Sequence, residues 1–167
     1  VRANLGTLSA EARFEGGILH LDSLVMNQQD GLLRADGRLD VASRNYELNL
    51  EGRDLTLWRF LSPEGFPVQA TIGVTGRTNG TFDDPKATLR IEAAGVRVQD
   101  HDLGGMTVDV TVSDRSAKVE AMLPSLGSDL NATIGIDRPF PADFELRASN
   151  LEMSRVPFQP YPELSGA

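Results

Sequence analysis

Cysteine is absent from the 167 residues, and aromatic residues make up only 6% of them. Without cysteine the chain has no disulfide, no thiolate metal ligand and no nucleophilic thiol. Without many aromatic side chains, any core must be built mainly from aliphatic ones. No apolar run approaches the roughly 18 residues that a membrane-spanning helix requires, so we expect this segment not to cross a membrane.

Basic residues are too few to form a nucleic-acid or anionic-membrane interface. The chain has 16 Lys and Arg against 24 Asp and Glu, a formal net charge of -8. Recognition of phosphate groups depends on clustered cations. We therefore expect no nucleic-acid partner.

Catalytic and metal-binding patterns are also missing. The only histidines are His20 and His101, and neither has a second histidine nearby. His101 lies between Asp100 and Asp102, but consecutive side chains diverge, so we predict a solvated turn there. We likewise interpret Asp83-Asp84 as a turn rather than a catalytic pair. No nucleophile elbow or phosphate-binding loop occurs. The sequence thus predicts a non-enzyme with no catalytic, metal or cofactor-binding residue.

What the chain does contain is alternation of apolar and polar residues, which is the period of a β-strand with one apolar face. Short turns separate the alternating segments, and short connections join antiparallel neighbours. The pattern predicts an all-β meander of about ten strands. They are predicted at 5–14, 19–26, 33–41, 46–51, 68–74, 87–98, 106–112, 119–123, 130–136 and 144–148.

A few segments interrupt the alternation. Spacing of Leu57, Phe60 and Leu61 predicts a short helical turn over 54–63, with Asp54 as its N-cap, and a second turn is expected from Asn150. The single Trp58 is interpreted as a plug at the end of the β structure. Three further segments are predicted as a polar continuation or bend (76–80) and as turns (83–85 and 99–102).

An internal repeat relates residues 5–54 to residues 103–150 at an offset near 98, and 68–102 completes the unit. Leu5-Gly6 aligns with Leu103-Gly104, and Tyr46-Glu47-Leu48 with Phe144-Glu145-Leu146. The chain begins inside the alternating pattern. We therefore expect 1–167 to be a single segment of a longer repeat protein.

The order of segments in the middle of the chain is similar to the repeating unit of a known family. A glycine-rich strand at 76–82 precedes Asp84-Pro85, the alternating strand 87–92, Val96-Arg97-Val98 and then Leu103-Gly104. This order resembles the TamB family, the inner-membrane-anchored component of the translocation and assembly module, which is related to AsmA-like proteins.

The resemblance implies an elongated antiparallel meander folded lengthwise into an open groove, a β-taco, with an apolar concave face. It also implies a periplasmic location, a full-length protein anchored in the inner membrane, and an outer-membrane partner of the Omp85 class contacted through another part of that protein. The implied function is outer-membrane biogenesis, by phospholipid transport between the membranes, by chaperoning outer-membrane protein assembly and secretion, or by both.

A competing interpretation of the same residues is a closed β-sandwich or barrel that serves as a structural or adhesive repeat module. In the groove interpretation, phospholipid or another acyl-chain ligand contacts the inward aliphatic side chains. The candidate groove-lining residues are Leu33, Ala35, Leu39, Ile72, Val74, Leu89, Ile91, Met106, Val108, Val110, Val112, Val119, Ala121, Leu130 and Ile134.

Overall fold

A computed structural model of the chain describes residues 6–28, 31–56, 68–98 and 101–149, and these residues form ten β-strands. A single 3₁₀ turn, Pro124–Leu126, connects two of the strands. The strands are β1 Thr7–Glu15, β2 Ile18–Gln28, β3 Gly31–Asp40, β4 Asn45–Thr56, β5 Val68–Thr81, β6 Pro85–Val98, β7 His101–Ser113, β8 Ser116–Leu123, β9 Ser128–Gly135 and β10 Ala142–Ala148.

All ten strands belong to one sheet, and its spatial order is the order of the sequence. Every neighbouring pair is antiparallel. The predicted all-β antiparallel meander is therefore confirmed. Among the described residues the sheet is open, because β1 and β10 do not pair with each other, and no second sheet packs on it.

Alternation explains why the sheet has two chemically different faces. In β6, the residues from Pro85 to Glu92 alternate strictly between half-buried and exposed, and the half-buried ones include Leu89 and Ile91. The exposed ones include Arg90 and Glu92. Side chains on the apolar face thus shield one another more than those on the polar face do. This asymmetry is consistent with an open groove whose inner surface is apolar.

Several strands extend further than the alternation predicted. β4 continues past Gly52 to Thr56 because the register shifts between Gly52 and Leu55, and Asp54 has a left-handed φ of 53° within this bulge. Bulges place one extra residue in a strand without ending it. The prediction of Asp54 as a helix N-cap is therefore wrong. The rest of that predicted turn from 57 onwards, with Trp58, and the turn from Asn150 lie outside the described residues.

The turn predicted at 83–85 is confirmed at Asp83 and Asp84 but not at Pro85, and residues 99 and 100 of the turn predicted at 99–102 lie outside the described residues. Pro85 is the first residue of β6, a position that tolerates the missing N–H. β5 runs unbroken through 76–80, which confirms the polar continuation predicted there as one of two alternatives. His101 and Asp102 begin β7, so the solvated turn predicted at His101 is wrong. The 3₁₀ turn at Pro124–Leu126 was not predicted, although proline in its first turn and the left-handed Gly127 after it are typical signals.

Backbone features recur along the chain at a spacing of 98 residues. Gly6 and Gly104 have φ values of 91° and 73°, and both precede residues of an alternating strand. Gly16-Gly17 and Asp114-Arg115 form two-residue turns in which all four φ values are positive, between 49° and 84°. Two-residue hairpins favour this geometry because it matches the twist of the flanking strands. The spacing is the one on which the sequence repeat was predicted.

Candidate functional site

One face of the sheet is crossed by three rows of residues, each of which runs through all ten strands. Residues that pair across neighbouring strands point to the same face, so the register defines the rows. We call these rows together the apolar face. They are Ala12, Leu21, Gly37, Leu48, Thr78, Ala87, Val112, Ala117, Ile134 and Ala142; Ala10, Leu24, Ala35, Leu50, Gly76, Leu89, Val110, Val119, Ala132 and Phe144; and Leu8, Met26, Leu33, Gly52, Val74, Ile91, Val108, Ala121, Leu130 and Leu146.

The fifteen candidate groove-lining residues all lie on this side of the sheet. Twelve belong to the three rows. Leu39 lies in a shorter row beside them, between Leu19 and Tyr46. Ile72 and Met106 lie in another short row, on either side of Ala93. The register therefore brings the predicted residues onto one surface, and none of these rows contains Asp, Glu, Lys or Arg.

At one end of the strands this side is filled by protein. A core of buried aliphatic residues forms where β5, β6 and β7 have bulges, and Ile72 and Met106 pack against it. Leu123 and Leu126, beside the 3₁₀ turn, pack against the same core. Ile72 and Met106 thus mark the boundary between packed core and open face. The members of the core are Ala70, Ala93, Val96, Val98 and Leu103.

One buried and one half-buried polar side chain, those of Gln28 and His101, lie at this end of the strands. Gln28 is only 1% exposed, and its Oε1 accepts a hydrogen bond from the Thr56 N–H at 3.1 Å. Its Nε2 has no hydrogen-bond partner among the described residues, and neither has Nδ1 of His101. Four strands lie between the two residues in the sheet, so they form separate features and not one site.

The opposite face is charged, and several of its arginines are paired with carboxylates. Glu47 in β4 accepts from Arg38 at 3.2 Å and also from Arg77, and Arg90 lies 3.4 Å from Asp109. Hydrogen bonding and the positive charge of Arg77, with a smaller contribution from Arg38, lower the pKa of Glu47. Neutralised guanidinium groups of this kind do not form a basic surface for phosphate recognition.

Two open clefts on the charged face have the size of small-ligand pockets but not the usual lining. One, of about 420 Å³, includes Arg38, Asp40, Glu47 and Arg77. The other, of about 630 Å³, is lined mainly by threonines and by charged residues that include Arg90 and Asp109, and Leu89 and Val110 also border it. Ligand pockets are normally lined by apolar groups. The continuous apolar face is therefore the stronger candidate site.

The hairpin turns at the end of the strands away from the aliphatic core are linked by arginine. Arg115, in the β7–β8 turn, donates to Asp137 in the β9–β10 connection and to the carbonyl of Asp83 in the β5–β6 turn, the latter at 2.6 Å. Asp83 also pairs with Arg44 of the β3–β4 turn at 3.4 Å. The bond from Arg115 lowers the pKa of Asp137. Four successive turns are thereby tied along one rim.

Sequence reasoning missed part of the apolar face. Leu24, Leu50 and Leu146 occupy the same row positions as the candidates, and the glycines Gly37 and Gly76 lie between large side chains in the rows. Alternation alone indicates on which side of its own strand each residue lies. The register that joins ten strands into rows requires the structure.

Comparisons of the chain with protein-family models, with curated proteins and with solved structures give no match. The described residues include no helix with the length and hydrophobicity of a membrane span. They also include no group of three His, Cys, Asp or Glu side chains placed to hold a metal ion.

Proposed function

We propose that this chain is a periplasmic segment of a TamB-like protein that acts in outer-membrane biogenesis, and that its apolar face holds acyl chains of phospholipid during transport between the membranes. The same face can shield apolar segments of outer-membrane proteins. The full protein would be anchored in the inner membrane and contact an Omp85-class partner elsewhere. One observation carries this proposal: an uncharged face that crosses ten strands without a second layer on it in the described residues.

Acyl-chain binding needs no specific polar contact. Each CH₂ group removed from water contributes about 0.8 kcal/mol, so a surface of Val, Leu, Ile and Ala suffices. Ten strands spaced about 4.8 Å apart give rows of about 43 Å, which is longer than a single acyl chain. A ligand can therefore shift along a row without losing contact area, as transport requires.

The rows offer nothing that selects a lipid head group. They contain no Lys or Arg to neutralise phosphate, and the net charge of the chain is -8. A head group would stay in water at the open side of the face. We therefore expect phosphatidylethanolamine to bind at least as well as phosphatidylglycerol, because the anionic head group of the latter is repelled.

Photo-crosslinking with matched positions tests the site. A benzophenone side chain is introduced at Val110, on the apolar face, or at Thr111, the next residue on the charged face. After incubation with phosphatidylethanolamine vesicles and irradiation, we expect lipid adducts at position 110 and few at position 111. Native mass spectrometry of the purified chain should also retain phospholipid. Equal labelling at both positions, or none, would contradict acyl-chain binding at this face and favour a structural or adhesive module.

Substitution by aspartate provides the functional test. We predict that Val110→Asp in the full-length protein abolishes function and lowers lipid retention at least tenfold, because a charge then lies within the apolar row. Thr111→Asp places the same charge on the charged face and should leave both unchanged. Circular dichroism of each variant separates loss of binding from loss of folding. If Val110→Asp simply unfolds the segment, Val110 is part of a packed core and the open-face proposal is wrong.

A further inference from the structure

The two outermost strands, β1 and β10, each pair on one side only among the described residues. Their large apolar side chains are exposed far more than the half-buried residues with which they share rows. Leu8 and Phe14 of β1 are 67% and 65% exposed, and Phe144 and Leu146 of β10 are 68% and 70% exposed. Unpaired strand edges with apolar side chains are templates for pairing with another strand.

We propose that β10 of one copy of this chain pairs antiparallel with β1 of a second copy, so that the apolar faces of the two copies become continuous. The strand order supports this arrangement. Neighbours alternate in direction through the meander, and an eleventh strand added beyond β10 would run in the direction of β1. This inference concerns self-association of the chain 1–167 by itself and does not depend on the proposed lipid function. In the longer protein proposed above, the same two edges would pair with adjoining strands of that protein.

The backbone of β10 presents its free hydrogen-bonding groups at the apolar positions. Gly135 N–H donates to Pro141 O at 2.7 Å, and Ser149 N–H donates to Gly127 O at 2.9 Å. Backbone groups of every second residue point to the same side of an antiparallel strand. Odd-numbered residues of β10 therefore bond to β9. The even-numbered residues, including Phe144 and Leu146, direct their N–H and C=O groups to the free edge.

In β1 the backbone groups of odd- and even-numbered residues point in the same alternating way as in β10. Its hairpin with β2 has the two-residue turn Gly16-Gly17, and the flanking residues Glu15 and Ile18 are partners. Residues that flank a two-residue turn form a hydrogen-bonded pair. Odd-numbered residues of β1 thus bond to β2 and even-numbered ones face the free edge. The apolar residues are even-numbered in both strands. A single register can therefore pair the free N–H and C=O groups of the two edges and also place the apolar faces on the same side.

Side-chain size selects the register. When Phe144 lies opposite Ala12, Leu146 lies opposite Ala10, and all seven residues of β10 face residues of β1. Each large side chain then meets an alanine, because Ala142 faces Phe14 and Ala148 faces Leu8. On the charged face Asp143 lies opposite Arg13, which is attractive. Glu145 lies opposite Glu11, which is the one repulsive pair.

The charge of the chain predicts how association responds to salt. Two copies that each carry -8 repel, and salt screens this repulsion over distances beyond about 8 Å at 0.15 M. Pairing of unlike edges leaves one free edge on each terminal copy, so it adds further copies rather than stopping at a two-fold dimer. We expect sedimentation velocity to show oligomers whose size rises with protein concentration and with salt.

Cysteine crosslinking tests the register directly, because the chain contains no cysteine of its own. The variant Ser9→Cys/Arg147→Cys places thiols at directly opposed positions, and the control Thr7→Cys/Arg147→Cys shifts one thiol by two residues with the same change of charge. On mild oxidation in 0.5 M salt, we expect the first variant to give a ladder of disulfide-linked oligomers and the control at least fivefold less. Equal linkage of both, or more of the control, would overturn the register.

Proline at the edge tests the backbone pairing. Leu146→Pro removes an N–H that faces the free edge and leaves the bonds to β9, whereas Leu146→Ala removes only the side chain. We expect proline to lower the association constant at least tenfold more than alanine does. A wild-type chain that stays monomeric at millimolar concentration in 0.5 M salt would overturn the proposal, including the case in which residues 150–167 cover the edge.

Discussion

Glu47 lies between two guanidinium groups on the charged face of the sheet, those of Arg38 and Arg77. Their hydrogen bonds and charges lower the pKa of this carboxyl group in the folded chain. A depressed folded-state pKa stabilises the fold above the ordinary pKa of glutamate, and this contribution is lost as pH falls through the folded-state value. Glu47 is therefore a site at which protonation weakens the junction of β3, β4 and β5.

We predict that Glu47→Gln destabilises the chain at neutral pH, and that its difference from the wild type shrinks as pH falls below about 4. Urea unfolding at a series of pH values measures this. Glu120→Gln, on the same face in β8, reports the effect of removing one negative charge by itself. A difference for Glu47→Gln that is constant from pH 7 to pH 3 would contradict the assigned role.

Gly37 illustrates a second residue-scale constraint. A Cβ added there would lie 2.2 Å from the backbone oxygen of Glu47, so β3 and β4 approach each other too closely for any side chain. We predict that Gly37→Ala lowers the free energy of unfolding by about 1–3 kcal/mol, as overpacking does. At Gly73, the nearest atom to an added Cβ is 3.7 Å away. Gly73→Ala should therefore change stability by less than about 1 kcal/mol.

Alternation placed Gly37 correctly within a strand, but it gave no sign of this close approach. The distance depends on which carbonyl of the neighbouring strand lies opposite, and this is a property of register. His101 shows the same limit, since flanking aspartates suggested a solvated turn while the strand begins at His101 itself. Predictions for single residues were wrong or incomplete where the contacts of the residue are made by a different strand.

At the scale of elements, Arg115 links two neighbouring connections, because its side chain donates hydrogen bonds to Asp137 and to the carbonyl of Asp83. We predict that Arg115→Asn increases amide exchange in residues 82–84 and 136–141 and lowers overall stability by less than about 1 kcal/mol, because exposed ion pairs contribute little. Asparagine tolerates the positive φ of 56° at this position, so the turn itself is retained. Hydrogen exchange with mass spectrometry resolves these segments.

Unchanged exchange in both segments would mean that the arginine bonds do not hold the turns. Arg44→Asn is a matched comparison, since its φ of 59° is also positive and its side chain contacts Asp83 and the ring of Phe82, both in the β5–β6 turn. Its effect should be confined to residues 82–84, while residues 136–141 remain as in the wild type.

Strand positions were predictable because each strand carries its own alternation, and all ten are present in the structure. Strand ends were less predictable. β4 passes through a bulge at Asp54, and β5 continues through a polar, glycine-rich segment at 76–80, so the periodicity weakens while the pairing persists. Bulges preserve a strand but shift its apolar positions by one residue, which imitates a helical spacing or a break.

For the whole molecule, each strand makes its main contacts with its sequence neighbours. We predict graded hydrogen exchange, slowest in β5, β6 and β7, where the aliphatic core lies, and fastest in β1 and β10. Neighbour-only contacts let opening begin at either edge, as in solenoid arrays. Uniform protection in all ten strands would instead indicate a single cooperative core and contradict this prediction.

Whether the aliphatic residues form a closed core or an open face was not decidable from periodicity, because both arrangements require the same alternation. The candidates Leu89, Ile91, Val108 and Val110 suit either one. The distinction is made by the number of sheets and by whether a sheet closes on itself, and the described residues form one sheet whose first and last strands do not pair. The prediction of an open groove was based on the resemblance and not on periodicity.

The sequential strand order makes the length of the apolar face adjustable. Inserting or deleting one hairpin adds or removes two strands, about 10 Å of face, and leaves every other pairing unchanged. Adding an even number of strands leaves every later turn at the same end of the strands. Adding an odd number would move every later turn to the opposite end. A protein with this strand order can therefore lengthen its apolar face by duplicating one hairpin at a time, without a new fold.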